Sequence, residues 1–324
     1  MFRALRSLRE RVLTPDISET RLVTRGFHIK NESASQLLET VGVSFLSGFR
    51  YAAGARTPSD AENQLETVDR EFRGFAYEGA AMALGIMNGL RLTQGRAVER
   101  FLTGRADRHV YMVYIGAGWA LARLPRWRWQ VVLPAAPLLG WLALDGYGFH
   151  QAYFHTKRYV HGQYQDESLR WPADRTGRYA NRVVDQGIGR ALWFVEGADP
   201  DRVVRSIERF APHRRADLFS GAGLAATYAG GATEAELEAF WDRAGSYRPN
   251  VAQGCAFAAK ARVRAGLVTP HTPIATSVFC GTSPERAAAV TDDAMRDLPN
   301  DGPEPGYELW RQRIAEQFVS SGRC

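Results

Sequence analysis

A six-residue pattern returns six times along this chain, and it limits the fold more than any other feature. It reads any residue, Gly, any residue, Gly or Ala, any residue, and usually Ala. The copies are Glu78–Ala83 (EGAAMA), Ile115–Ala120 (IGAGWA), Asp145–His150 (DGYGFH), Gln186–Ala191 (QGIGRA), Ser220–Ala225 (SGAGLA) and Gln253–Ala258 (QGCAFA). Their leading glycines are about 30 to 41 residues apart, the range of helical-hairpin repeats. A glycine inside a helix costs about 1 kcal/mol relative to alanine, so its return in copy after copy needs a packing reason. Small residues at i and i+2, with Ala at i+4, let a neighbouring helix backbone come close. The expectation is an all-α chain: a helical-hairpin repeat array with tightly packed inner helices and amphipathic outer ones. Closed, it is an α/α toroid; open, it is a tetratricopeptide-like solenoid.

Local signals agree with that plan. Asp199 before Pro200 pairs a helix N-cap with Pro at the first helical position. Thr233 with Glu236 forms a capping box, and Ser283-Pro284-Glu285 opens a further helix. Gly104, Gly197, Gly245 and Gly266 stand where helices should end. Residues 1–56 read as a small N-terminal extension: a helix stopping before Pro15, a short extended segment and a degenerate first repeat helix. Residues 57–324 read as the repeat domain, closed by a polar-faced capping helix over Pro305–Phe318. Arg21–Lys30, with its β-branched residues, is the most strand-like segment.

Charge and motifs exclude several classes. The net charge is +6, but the basic residues are scattered and no zinc finger or RNP motif is present, so nucleic acid is not an expected partner. Three cysteines without metal-ligand spacing indicate reduced thiols in a cytoplasmic protein. The basic amphipathic run Phe2–Arg9 lacks the apolar core of a signal peptide. Val131–Leu144 is the longest apolar stretch, too short to span a bilayer and interrupted by Pro134 and Pro137, so no integral membrane segment is expected. Arg126-Trp127-Arg128-Trp129, just before it, resembles an interfacial anchor, or forms the leading loop of a buried helix pair. There is no P-loop, dinucleotide fingerprint or GxSxG motif, and no cofactor is expected. Neither is a metal: His150, His155 and His161 are wrongly spaced for one helix face. Asp292–Asp297 resembles a diphosphate-binding aspartate box but has no second motif, and reads as a solvated helix end.

The third copy is the anomalous one. Where the pattern places small residues, Asp145–His161 carries His, Tyr and Lys. His150, Phe154 and Lys157 fall on one helical face at i, i+4 and i+7. A histidine there is a candidate general acid/base, with Asp145 and Glu78 as carboxylate partners and Tyr147 as hydrogen-bond donor. Acidic residues sit just before the repeat glycine at Glu78, Asp145 and Asp185, and Glu196 adds a fourth. Gathered at low dielectric, such carboxylates would hold a proton at raised pKa. Equally, they are helix N-terminal charges favoured by the macrodipole. Tyr77, Tyr114, Trp119, Phe149 and Trp193 cluster around the motifs, as the lining of an apolar ligand site or as plain core.

These same residues carry a resemblance. The runs Glu71–Ala83, Val110–Arg123, Leu142–His150, Trp193–Asp199 and Tyr247–Arg262 resemble an uncharacterised actinobacterial family that recurs in enediyne polyketide biosynthetic gene clusters. The match extends from about Arg21 to Phe318. It implies a pathway and supplies no established catalytic residues. The resulting expectation is an antibiotic-biosynthesis protein that binds a hydrophobic polyene-type intermediate in an aromatic-lined concavity and assists cofactor-independent isomerisation or cyclisation. The alternatives are a non-catalytic helical-repeat scaffold for polyketide synthase or tailoring enzymes, and a sequestration protein for self-protection.

Overall fold

A computed structural model describes residues 9–92, 95–134, 136–299 and 304–324, so most of the Phe2–Arg9 run lies outside the described residues. Among these the regular elements are all helices and no strand is present. The main helices are α1 (Glu32–Gly54), α2 (Pro58–Leu65), α3 (Arg73–Gly89), α4 (Ala97–Leu102), α5 (Val110–Leu121), α6 (Trp141–Phe154) and α7 (Ala180–Val195). They continue as α8 (Pro200–Glu208), α9 (Pro212–Ala229), α10 (Glu234–Ala244), α11 (Arg248–Ala265), α12 (His271–Cys280), α13 (Pro284–Met295) and α14 (Gly306–Ser320). The chain divides into two compact units: residues up to Gly26 with Glu39–Tyr147, and Phe27–Leu38 with Gly148–Cys324. One division follows Gly26, and the other two fall inside α1 and α6.

All six motifs lie on helices, and the structure explains their spacing. At 3.6 residues per turn, positions i and i+2 stand about 200° apart, on opposite sides of the helix. Two glycines two residues apart therefore serve two different neighbours. In the first unit, a Cβ on Gly79 or Gly116 would strike a backbone carbonyl of the preceding motif helix or of α1, at Phe45 and Glu78. A Cβ on Gly118 would strike Ala143 of the next. In the second unit Gly221 and Gly254 meet the carbonyls of Gln186 and Ser220 behind them, while Gly189 and Gly223 meet those of Leu218 and Val251 ahead. The first glycine closes backward and the second forward. Gly48 of α1 behaves as a forward glycine against Ala76, which makes α1 the degenerate first member of the row.

The other two directions of each motif helix are what remain. In α11 the residue after the first glycine faces the outer layer: Cys255 Sγ lies 3.8 Å from the carbonyl of Ala275 in α12. The outer helices α8, α10 and α12 pack in succession along that side. The residue before the glycine points elsewhere, and there α14 lies. Tyr307 donates from its hydroxyl to Gln186 Oε1 at 3.3 Å, and Arg311 Nε donates to Gln253 Oε1 at 3.1 Å. The C-terminal helix thus covers the polar side of α7 and α11, besides packing on α13 through Trp310 Nε1–H to the Thr291 carbonyl at 2.8 Å.

Helix starts follow the sequence signals. Asp199, Thr233 and Ser283 each accept a hydrogen bond from the backbone N–H three residues on, and Thr233 with Glu236 completes the capping box. The strand-like segment is the exception. Leu22–Arg25 forms one helical turn, begun by the Leu22 N–H donating to Glu39 Oε1 at 3.0 Å and ended by Gly26 at φ 69°. Two caps outweigh the β preference of Val23 and Thr24. Only Phe27–Lys30 is extended. It reaches the end of α7 through one bond, His28 N–H to the Val195 carbonyl at 2.9 Å, beside Gly197, whose φ of 62° and contact with the His28 carbonyl exclude a side chain. The apolar run Val131–Leu144 is not a helix pair: Pro134 and Pro137 delay the helix until Trp141.

Candidate functional site

His150 occupies the alanine slot of its motif. In the other copies that slot holds Ala83, Ala120, Ala191, Ala225 and Ala258, all buried, and His150 is as deeply buried at 2 % exposure. Its ring lies 4.7 Å from that of Phe154, one turn on. The surrounding helix presents a ring cluster within the second unit. Phe149 stacks on Tyr153 at 5.8 Å and meets the edge of Phe194 at 5.3 Å. Phe27, delivered by the extended segment, meets Tyr153 edge-on at 5.0 Å. The Arg190 guanidinium, itself buried, stands 5.1 Å from the Phe149 ring centre. Lys157 does not join this face. The α-helix ends at Phe154 and a separate π turn covers Lys157–His161, leaving Lys157, His155 and His161 exposed.

A second group of polar side chains lies between α7, α9 and α14. Asp217 and Glu308 are each bridged by both Arg182 and Arg311, with all four contacts between 2.8 and 2.9 Å. The Tyr179 hydroxyl donates to Glu308 Oε2 at 2.7 Å. Gln186 Nε2 donates to Asp217 Oδ1 at 3.1 Å, and Ser220 Oγ donates to Gln253 Oε1 at 2.6 Å. Gln253 Nε2 has no partner among the described residues. Burial alone would raise Glu308, but Arg311 and Arg182 together outweigh it and hold the carboxyl below its ordinary value. Burial pushes the Tyr179 phenol well up. The group is a closed ionic lattice that clamps α14 to the motif helices.

Asp185, one turn before Gly189, is the exception among the buried acids. Arg214 grips it with Nε at 2.9 Å and a second nitrogen at 2.5 Å, and Gln165 Nε2 donates to it at 3.2 Å. Burial still pushes Asp185 up to about 6, because the Arg214 fork only partly offsets it and Asp217 adds repulsion. A carboxyl in that range exchanges its proton near neutral pH. Glu196 is committed differently: Ser206 Oγ donates to one oxygen at 2.5 Å and Arg202 Nε to the other at 2.8 Å. Trp193 is fully buried and donates from Nε1 to the Gly230 carbonyl at 2.8 Å.

The remaining sequence candidates belong to the first unit. Glu78 and Asp145 are both 2 % exposed, on α3 and α6. Tyr147 leans on Trp129 at 5.4 Å, and Trp119 on Phe45 at 4.4 Å. Tyr77 stacks between His109 at 3.9 Å and Phe101 at 5.6 Å, and donates to Glu66 Oε1 at 2.7 Å. Burial and Glu66 raise the Tyr77 phenol, and burial pushes Tyr114 up to about 12. The structure therefore gathers Phe149 and His150 in one unit, and holds Tyr77 and Tyr114 as neutral phenols in the other. The aspartate-box residues are ion-paired instead, Asp292 with Lys260 at 2.5 Å and Asp293 with Arg296 at 2.9 Å. Among the described residues no three His, Cys, Asp or Glu side chains converge as metal ligands.

Sequence reasoning passed over Arg190, Tyr153, Phe27, Gln186, Ser220 and Gln253. The signal was available for three of them. The position before the first glycine reads Glu, Ile, Asp, Gln, Ser, Gln through the six copies, polar in all but one, and the amides and hydroxyl mark the same face as the acids.

The chain belongs to the family described as Protein of unknown function (DUF1702), whose model matches residues 4–318. No curated protein and no solved structure matches it. Among the described residues no helix is long and apolar enough to cross a membrane.

Proposed function

We propose that this helical-repeat protein binds a hydrophobic, conjugated intermediate of polyketide antibiotic assembly and moves a proton on it, with His150 as the proton carrier. One observation carries this reading: an imidazole, 2 % exposed, stands in a slot that every other copy of the motif fills with alanine. Packing alone does not call for it, since the same helix geometry is met by a methyl group five times over. A buried histidine is costly unless its polar atoms are used, and it is the side chain best suited to proton exchange near neutral pH. The ring cluster of Phe27, Phe149, Tyr153, Phe154 and Phe194 supplies the apolar, π-rich surroundings such a ligand favours.

In this reading His150 takes a proton from one carbon of the conjugated chain and returns it at another. The double bonds shift, and the net composition of the ligand is unchanged. Asp185, whose carboxyl burial pushes up to about 6, is the second proton-exchanging group of the same unit.

His150→Ala is the decisive variant, because it restores the residue of the other five copies. In a producing strain it is expected to abolish or redirect the product, while the purified variant unfolds at the native temperature and still carries an absorbing polyene. Asp185→Asn is expected to lower product formation. Unchanged product from both variants would remove them from the chemistry. A purified protein that carries no small molecule but retains a stable protein partner would establish the scaffold instead.

A further inference from the structure

The first unit carries a surface that neither its packing nor the proposed chemistry uses. Two chain segments meet there, the C-terminal end of α3 and the turn at Arg126–Val131. The Asn88 side-chain amide donates to the Val131 carbonyl, and Arg128 Nε donates to the Gly89 carbonyl at 2.7 Å. Between the segments lies a cleft of about 570 Å³ with Arg91, Arg96, Glu99, Arg128 and Val131 in its wall. Around it Leu90 and Leu92 are each 50 % exposed, Val131 44 % and Trp127 76 %. Few soluble surfaces leave a tryptophan so open, and here three aliphatic side chains accompany it.

The charge on this surface is predominantly positive. Arg91, Arg96, Arg123 and Arg126 are all exposed. The only carboxylate in the cleft wall is Glu99, paired with Arg96 at 3.2 Å. Among the described residues neither Arg91 nor Arg123 meets a carboxylate. The Arg128 guanidinium lies 5.2 Å from the Trp127 ring centre. Arg91 and Arg96 take φ values of 59° and 53°, a left-handed backbone uncommon for residues with side chains and kept only where the surroundings impose it.

We propose that this surface docks on an anionic lipid bilayer, Trp127, Leu90 and Leu92 entering the headgroup layer while Arg91, Arg123 and Arg126 engage lipid phosphates. Indole rings settle at the boundary between water and hydrocarbon. Guanidinium groups beside them gain from the negative surface potential of acidic lipids. Apolar tips ringed by exposed cations match that layered chemistry, whereas a protein partner with an acidic face would leave the tips facing charge. The attachment is peripheral, and it is independent of His150 and of the reaction proposed above.

The test is co-sedimentation of the full chain with vesicles of phosphatidylcholine alone or mixed equally with phosphatidylglycerol, at low and high salt. Binding to the mixed vesicles only, weakened by salt, is the expected result. Trp127→Ala is expected to lower partitioning on the order of tenfold, and Arg91→Gln with Arg126→Gln about 30-fold. All three side chains are exposed, so the variants keep the native unfolding temperature. Failure to bind mixed vesicles, equal binding to both kinds, or binding indifferent to these substitutions would each overturn the proposal. So would retention on a soluble polyanion that the tryptophan substitution leaves unchanged.

Discussion

Gly221→Ala sets two effects of opposite sign against each other. By helix propensity the change should stabilise α9 by about 1 kcal/mol. The added methyl, however, falls on the carbonyl oxygen of Gln186 and on the Arg190 backbone nitrogen in α7. Neither can rotate away, because both belong to a helix backbone. The helices must separate, and an opening of about 1 Å forfeits up to half the dispersion attraction of each facing atom pair. Overpacking of this kind costs about 1–3 kcal/mol and sometimes more, with the upper end appropriate where backbone is struck. The net expectation is a loss of ~2 kcal/mol, or a midpoint lower by about 4–8 °C for a unit of this size. Thermal and urea unfolding followed by circular dichroism measure it. Gly54→Ala is the control, since its methyl would meet only the flexible carboxylate end of Glu10, and it should lose less than about 1 kcal/mol. If Gly221→Ala matches or exceeds native stability, propensity has won and the account of the motif is wrong.

Three further outcomes follow from the buried charges and thiols. Arg214→Ala should cost about 3–5 kcal/mol by stranding Asp185, and the gap from native should widen between about pH 5 and about pH 8, because the raised carboxyl protonates in acid and escapes the penalty; a gap independent of pH would refute the assignment. Burial and the nearby Arg262 lower His271 from 6.5 to about 4, so the unfolded chain binds its proton first, and stability present above about pH 6.5 should fall by up to ~3 kcal/mol toward pH 4. His271→Asn should flatten that fall in urea titrations across the window; an unchanged slope would place the proton elsewhere. Of the three cysteines only Cys324 is exposed, so a thiol reagent should titrate one group in the native protein and three after denaturation, and a second fast-reacting thiol would contradict the packing of Cys255 and Cys280.

The helical row was legible because its signal is steric and local. A glycine that recurs inside apolar helical sequence reports a close backbone neighbour wherever the chain places that neighbour, so the inner layer could be anticipated without any contact being known. What the spacing of Gly116 and Gly118 also encodes, two neighbours on opposite sides, follows from helix geometry but was read as one. The ionic lattice was less legible. Arg182, Asp217, Glu308 and Arg311 are ordinary helix residues in sequence, and only the return of α14 across the motif helices makes them a cluster. Arg21–Lys30 was misread for a related reason: the Glu39 carboxylate that begins its helical turn comes from a different helix, and no local propensity contains it. His150 stood out in the sequence by composition, and its burial with Phe154 required the fold.

The same geometry separates the two tasks that a motif helix performs. Glycines at opposite sides set the distance to both neighbours, and any bulk there is excluded by backbone. The residue after the first glycine is mostly small or apolar, as Ala117, Ile188, Ala222 and Cys255 show, and in α11 it faces α12. That leaves the position before the first glycine as the one place where a copy can change its chemistry without disturbing the row. In the second unit this freedom is spent on stability: Gln186, Ser220 and Gln253 are tied to one another or to the terminal helix. His150 breaks the rule, since it stands in the alanine slot that the other copies keep small. Restoring alanine there should therefore remove what the imidazole does and leave the glycine contacts of the row in place. A His150→Ala protein that folds as before yet loses its product would locate the chemistry in the single copy that departs from the pattern. A variant that merely unfolds would return His150 to the core.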